Sequence, residues 1–189
     1  MKLFEYEGIF LSHTTIWEIL TEATSERLPP QMLYHLTHPH QIWFIDHMHL
    51  KTLPSGQKVY SLIVLDGWSR VLVSQEICFS KGARDACLIL IRAFARWGMP
   101  EEILSDNYKA FWSLLYRLLL GRLRIKVSYT TPGCPWENPF AESFIGTLRA
   151  YFYPHLQRQK SVEGVFGIYQ EKTDYYNNRV HWTFRCAIT

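Results

Sequence analysis

The run Val59-Tyr-Ser-Leu-Ile-Val-Leu65 is the feature that most constrains this chain. Seven residues with almost no polar break cannot leave one face in water, so the run reads as a strand covered on both sides. Such a strand needs a layer above and a layer below it, which a chain of 189 residues can supply within one ordinary domain. Apolar residues make up 48% and aromatic residues 15%, enough for a core and incompatible with intrinsic disorder. The longest apolar runs, Tyr60 to Leu65 and Leu114 to Leu120, are far too short to span a bilayer. The opening Met1-Lys-Leu-Phe-Glu-Tyr-Glu lacks the basic and apolar regions of a secretory signal. Cys78, Cys87, Cys134 and Cys186 stand far apart without a Cys-x-x-Cys, which points to free thiols and a cytoplasmic setting.

The order of elements around that run defines a fold class. Ile42-Trp-Phe-Ile-Asp-His-Met-His reads as a first strand, and Lys51 to Gln57, with its Pro and Gly, as a turn into the second. Asp66-Gly67 turns into a third strand over Val71 to Ile77. Ala83 to Trp97 has helical spacing and stops at Gly98-Met-Pro100. Glu102 to Asp106 and Arg124 to Ser128 read as further strands. A helix starts at Asn138-Pro139, with Asn as N-cap, and a last one runs from Val162 to about Tyr176. Three antiparallel strands followed by strands alternating with helices predict an α/β mixed five-stranded sheet with helices on both faces.

The first forty residues read as an appendage. Ser12 to Thr24 has the pattern of one helix with Ser12 as its cap, and Arg27-Leu-Pro-Pro-Gln is a linker. Charge divides at the same place. Residues 1 to 40 hold two basic and five acidic side chains, so 18 of the 20 basic and 12 of the 17 acidic residues follow, a local balance of +6. That suits a polyanionic partner without demanding one.

Three carboxylates stand where chemistry gathers in such sheets. Asp46 falls in the first strand among Ile42, Phe44 and other apolar residues, and burying it without partners would cost several kcal/mol. Asp106 ends the fourth strand. Glu142 lies on the helix opposite the apolar stripe Phe140, Phe144, Leu148, with Gly146 and Arg149 on its own face. Three carboxylates without a Cys or His pairing suit a hard ion, Mg²⁺ or Mn²⁺, and two such ions can hold the attacking and leaving oxygens of a phosphodiester. Asp106 and Glu142 have 35 residues between them, but so do Asp66 and Glu102, and that second pair reads as accidental because Asp66 sits in an Asp-Gly turn.

The stretch from about His38 to His181 resembles the catalytic core of retroviral-type integrases and bacterial insertion-sequence transposases, the DDE superfamily with an RNase H-like fold. The residues that carry the resemblance are Trp43-Phe-Ile-Asp46, Asp66-Gly-Trp-Ser-Arg70, Gly98-Met-Pro100, Leu104-Ser-Asp106-Asn107 to Phe111, and Thr131-Pro-Gly-Cys-Pro135. Glu137-Asn138-Pro-Phe-Ala-Glu142-Ser-Phe, Leu148-Arg149 and Tyr176-Asn-Asn-Arg179-Val-His181 complete it. The resemblance implies Asp46, Asp106 and Glu142 as the catalytic triad and the ligands of two Mg²⁺ or Mn²⁺ ions. It implies DNA contacts at Arg149, Asn107 and Lys109, with Asn107 also shaping the site. It further implies hydrolysis at 3′ ends followed by strand transfer, transposon-end and target DNA as partners, and a homodimer or higher oligomer. Residues 1 to 30 look like part of a helix-turn-helix, 31 to 40 a linker, 41 to 181 the core and 182 to 189 a tail. The setting implied is cytoplasmic, at the nucleoid in a prokaryote.

Departures from the family's pattern are Tyr108 and Pro139 where glycine usually follows the Asn, and Val180 where proline usually follows the Arg. They keep two rivals open: a silent or domesticated relative that binds DNA or protein, and an RNase H-like nuclease. Five histidines, His35, His38, His40, His47 and His49, cluster near the first strand, but His47 and His49 face away from Asp46 and no Cys pair joins them. The Trp and Tyr residues read mostly as core, with Trp136 and Tyr108 as candidates for stacking on an unpaired base. Arg122, Arg124 and Lys126 read as a solvated strand edge that could also face phosphates.

Overall fold

Two strands near the start, β1 (Leu3–Tyr6) and β2 (Ile9–Ser12), pair antiparallel as a hairpin. The computed structural model describes these eight residues and residues 34–74, 76–132 and 134–178. The chain divides into two units, Met1–His35 and Leu36–Thr189. Ser12, expected as the cap of a helix, is a strand residue paired with Leu3; the rest of that expected helix lies outside the described residues. So does the Arg179-Val-His181 end of the terminal motif.

The larger unit is built on β3 (Ile42–Thr52) and β4 (Lys58–Asp66), followed by β5 (Ile77–Cys78), α1 (Ala83–Trp97), β6 (Glu102–Ser105), α2 (Leu114–Arg122) and β7 (Lys126–Tyr129). A 3₁₀ turn (Pro135–Glu137) leads into α3 (Pro139–Thr147), a π turn (Leu148–Phe152), α4 (Tyr153–Arg158) and α5 (Val162–Asn178). The sheet order is β5-β4-β3-β6-β7, with β4 antiparallel and β6 parallel to β3. This is the mixed five-stranded sheet that the order of apolar runs predicts.

Alternation along β3 assigns its two faces. Trp43 and Ile45 join Leu62 and Val64 of β4 in a core closed by Ala86, Ile89 and Leu90 of α1 and Tyr116 and Leu120 of α2. Phe44, one step out of phase, meets Phe140 of α3 edge-on at 4.7 Å. On that second face Tyr169 of α5, fully buried, shares a 2.7 Å hydrogen bond with Ser61 of β4. Helices thus cover both faces, as the unbroken Val59–Leu65 run requires.

The expected third strand over Val71 to Ile77 is mostly absent; only Ile77–Cys78 is a strand, with a single bridge at Leu72. Its start follows a turn at Arg70, whose φ is 62°, and pairs briefly with β4: the Asp66 N–H donates to the Val71 carbonyl at 2.9 Å and the Val73 N–H to the Val64 carbonyl at 2.8 Å. The Leu72 N–H donates to the Asn177 side chain at 2.9 Å, and the Asn177 amide returns a bond to the Leu72 carbonyl at 3.0 Å. A helix side chain therefore satisfies the Leu72 groups that point away from β4 at the outer edge of the sheet. The expected single helix from Pro139 also differs: it passes through the π turn into a second segment, α4.

Asp66 behaves as its turn context predicts. It is buried, accepts the His40 N–H and Ser69 N–H at 2.7 Å each, and accepts the Ser69 hydroxyl at 2.6 Å. Glu102 pairs with Lys126 at 2.8 Å along the strand edge. Gly67 beside Asp66 has no room for a side chain, since a Cβ there would lie 2.5 Å from the Phe44 ring and 3.0 Å from the Ile42 carbonyl oxygen. Gly67→Ala is expected to lower stability by about 1–3 kcal/mol, read as a shift in the urea midpoint with the slope unchanged. An unchanged midpoint would show that Phe44 yields freely.

Candidate active site

Asp46 owes its place to the register of the sheet. Ile45 of β3 pairs with Ser105 of β6, and Asp46 and Asp106 are the next residues on these adjacent parallel strands. Strands lie about 4.8 Å apart, so the two carboxylates leave the sheet side by side. Each is turned to a nearby amide: the His47 N–H donates to Asp46 Oδ1 at 2.6 Å, and the Tyr108 N–H to Asp106 Oδ1 at 3.1 Å.

Glu142 arrives on α3, and Asn138 docks that helix against β3. Its side chain does not cap the helix as expected of Asn before Pro139; Nδ2 donates instead to the Ile45 carbonyl at 3.2 Å, one residue from Asp46. The Glu142 N–H donates to the Asn138 carbonyl at 3.1 Å, so one buried residue links the segments carrying Asp46 and Glu142. The Arg70 guanidinium covers Phe140 at 3.2 Å and clamps the start of the same helix. Phe140, Phe144 and Leu148 are buried and Glu142 is exposed, as the helical stripe predicts.

Asp46 and Glu142 open onto one cavity of about 500 Å³, whose wall also includes His47, Lys81, Arg149 and Tyr153. Burial pushes the Asp46 carboxyl up to about 7, and the negative charges of Asp106 and Glu142 push the same way, against the His47 N–H and the Lys81 ammonium. Burial raises Asp106 as well, opposed by the Tyr108 N–H and Lys81. Asp106 thus reaches the cavity electrostatically and is not part of its wall. Among the described residues no three His, Cys, Asp or Glu side chains close around one point at metal-ligating separation.

His47 lies on the opposite face of β3. Its ring stacks on Phe111 at 5.0 Å, and both ring nitrogens are buried without a hydrogen-bond partner among the described residues. Burial first, and then Lys81, lower its pKa to about 4, so the ring is neutral at physiological pH. Of the expected DNA contacts, Arg149 lies in the cavity wall. The Asn107 amide donates to the Thr130 carbonyl and ties the loop after β6 to the end of β7. Lys109 is exposed and outside the cavity wall.

Sequence reasoning passed over Lys81 and Tyr153. Lys81 stands two residues before α1 with no motif around it, and only the packing of the sheet edge brings it to Asp46. Tyr153 follows the π turn, a five-residue irregularity of a kind that recurs at functional sites.

The integrase core domain family matches residues 37–135, more than half of the chain, and a second profile with the same description matches residues 123–181. The chain belongs to the integrase core domain family. Among curated relatives, the transposase InsF of insertion sequence IS3A from Escherichia coli strain K12 is 29% identical over 127 residues, covering 66% of this chain and 43% of the relative. The transposase InsF of insertion sequence IS3 from Escherichia coli O111:H- matches to the same extent. This integrase core chain therefore spans less than half the length of the curated relatives it matches.

The solved structures extend the likeness to the fold. A chain of the simian T-cell lymphotropic virus intasome, solved in complex with PP2A regulatory subunit B56 gamma, superposes with a TM-score of 0.65 at 18% identity, covering 80% of this chain and 55% of that one. The HTLV-2 integrase catalytic core domain in complex with magnesium, in its trimeric form, superposes with a TM-score of 0.58 at 18% identity, covering 76% of this chain and 88% of that one. The fold is RNase H-like.

Proposed function

We propose that this integrase core acts as a metal-dependent DNA strand transferase, with Asp46, Asp106 and Glu142 as metal ligands. The observation that carries the reading is that Asp46, buried at the cavity it shares with Glu142, is raised to about 7 by burial and by the negative charges of Asp106 and Glu142. An oxygen-only donor set that gathers negative charge around a buried carboxylate fits a hard divalent cation. When bound, two Mg²⁺ or Mn²⁺ ions would supply the charge that acidifies an attacking water or 3′-hydroxyl and steadies the departing 3′ oxygen.

The chain's own groups hold the rest of the site. Asn138 sets the spacing between the segments that carry Asp46 and Glu142. Asn107 pins the loop behind Asp106, and Arg149 meets a DNA phosphate at the cavity wall. Lys109 reaches the duplex outside the cavity. Substrates are the ends of a mobile element and a target duplex. The reaction is hydrolysis that frees a 3′-hydroxyl, then attack of that hydroxyl on the target strand. Joining two ends requires at least a dimer, working at DNA in the cytoplasm. A binding role without cutting is favoured by one observation, that Asp106 stands outside the cavity wall.

Titration calorimetry with MgCl₂ decides between these readings. Binding is expected in the wild type and lost in Asp46→Asn and Glu142→Gln. Because a ligand must be ionised, affinity should rise roughly tenfold per pH unit up to about pH 7 and level off above it. Heats that ignore both substitutions would leave only the binding role.

A further inference from the structure

We infer that Lys81 is a second DNA-phosphate contact, in the wall of the cavity that also includes Asp46, Glu142 and Arg149. The inference rests on the strand-transferase reading and adds a residue on a different segment of the fold. Lys81 enters from the loop between β5 and α1, whereas Arg149 enters from the π turn after α3. A backbone laid in the cavity would meet cations from two separate segments of the fold.

The environment of Lys81 is what a phosphate contact needs. Its ammonium lies 5.5 Å from the centre of the Tyr60 ring and 5.7 Å from that of Tyr108. Two ring faces within about 6 Å restrain the long side chain without cancelling its charge or taking its hydrogen-bond donors as a carboxylate would. Lys81 forms no salt bridge among the described residues, although its field is felt at Asp46 and Asp106. A lysine that served only to neutralise the carboxylates would pair with one of them. This one is half-buried, held in place by aromatic faces and unpaired, which leaves it free for an incoming anion.

The test reads DNA binding with no cutting step. Fluorescence anisotropy of a labelled duplex, without divalent metal, is followed from 50 to 200 mM KCl for wild type, Lys81→Gln, Lys81→Arg and Arg149→Gln. Each phosphate contact contributes about −0.9 to the slope of log affinity against log salt. Lys81→Gln is therefore expected to make the slope shallower by about 0.9, with affinity falling several-fold, and Lys81→Arg to restore both. Should Lys81→Gln fail to fold, the slope is read on Lys81→Met, whose stem still fills the space between the rings. An unchanged slope in the Lys81 variants beside a shallower one in Arg149→Gln overturns the role of Lys81 and leaves the site intact. Unchanged slopes in both overturn the inference and the placing of DNA at this cavity together.

Discussion

Glu142→Gln is expected to abolish metal-dependent nicking of a labelled duplex while leaving the protein folded and bound to DNA. The side chain is exposed, so its replacement by a neutral isostere should alter stability by no more than about 0.5 kcal/mol. The loss falls on the metal. On the proposed ligand role, removing one of three carboxylates would withdraw several kcal/mol of charge stabilisation, a decrease of roughly a thousandfold in rate. Binding of the duplex should hold or tighten slightly, because one negative charge leaves the cavity. A gel assay with Mg²⁺ or Mn²⁺, beside anisotropy on the same variant, separates the two effects. Loss of both cutting and binding would sink the ligand role, and so would undiminished cutting.

Asp46→Asn should make the metal-free protein more stable at high pH than the wild type. The Asp46 carboxyl is raised from 3.8 to about 7, so between these values the folded chain holds a proton that the unfolded chain releases. A raised acid stabilises the fold at low pH, and that contribution disappears as pH climbs from about 4 to 7. Three units correspond to on the order of 4 kcal/mol, or about 10 °C in Tm for a chain of this size. Asparagine does not titrate and escapes the decline. Melting curves in EDTA should coincide at pH 4 and separate at pH 8, with Asp46→Asn the higher. Saturating Mg²⁺ should raise the wild type alone, through mass action on the folded state. A difference independent of pH would mean that burial does not strain this carboxylate.

The two experiments probe one physical fact from opposite sides. Burying Asp46 beside the charges of Asp106 and Glu142 costs stability in the absence of metal, and on the proposed reading the same cost becomes affinity when a divalent cation arrives. Lys81 offsets part of it at Asp46 and Asp106.

The sheet, its element order and the stripe on α3 were legible in the sequence because each rests on local periodicity. Alternation along Ile42 to His49 and the unbroken run after Val59 define faces whatever lies elsewhere in the chain. Asp46, Asp106 and Glu142 could be singled out for a similar reason: each breaks or flanks an apolar pattern at an element's edge, and the family resemblance orders them. What tertiary structure decided are the relations between distant segments. Asn138 looks like a helix cap until its amide is seen on Ile45, 93 residues away. Val71 to Ile77 looks like one strand, but Leu72 and Ile77–Cys78 pair with β4 separately, and Asn177, 105 residues from Leu72, takes up the backbone groups that Leu72 turns outward. Lys81 looks like any loop lysine until Tyr60 and Tyr108 close on it. The proton affinity of Asp46 belongs to the same class, because burial and repulsion by Asp106 and Glu142 exist only once the chain has closed. Hydrophobic period is written residue by residue and determines the layers. Charge interactions depend on distance and on exclusion of water, and folding alone sets both.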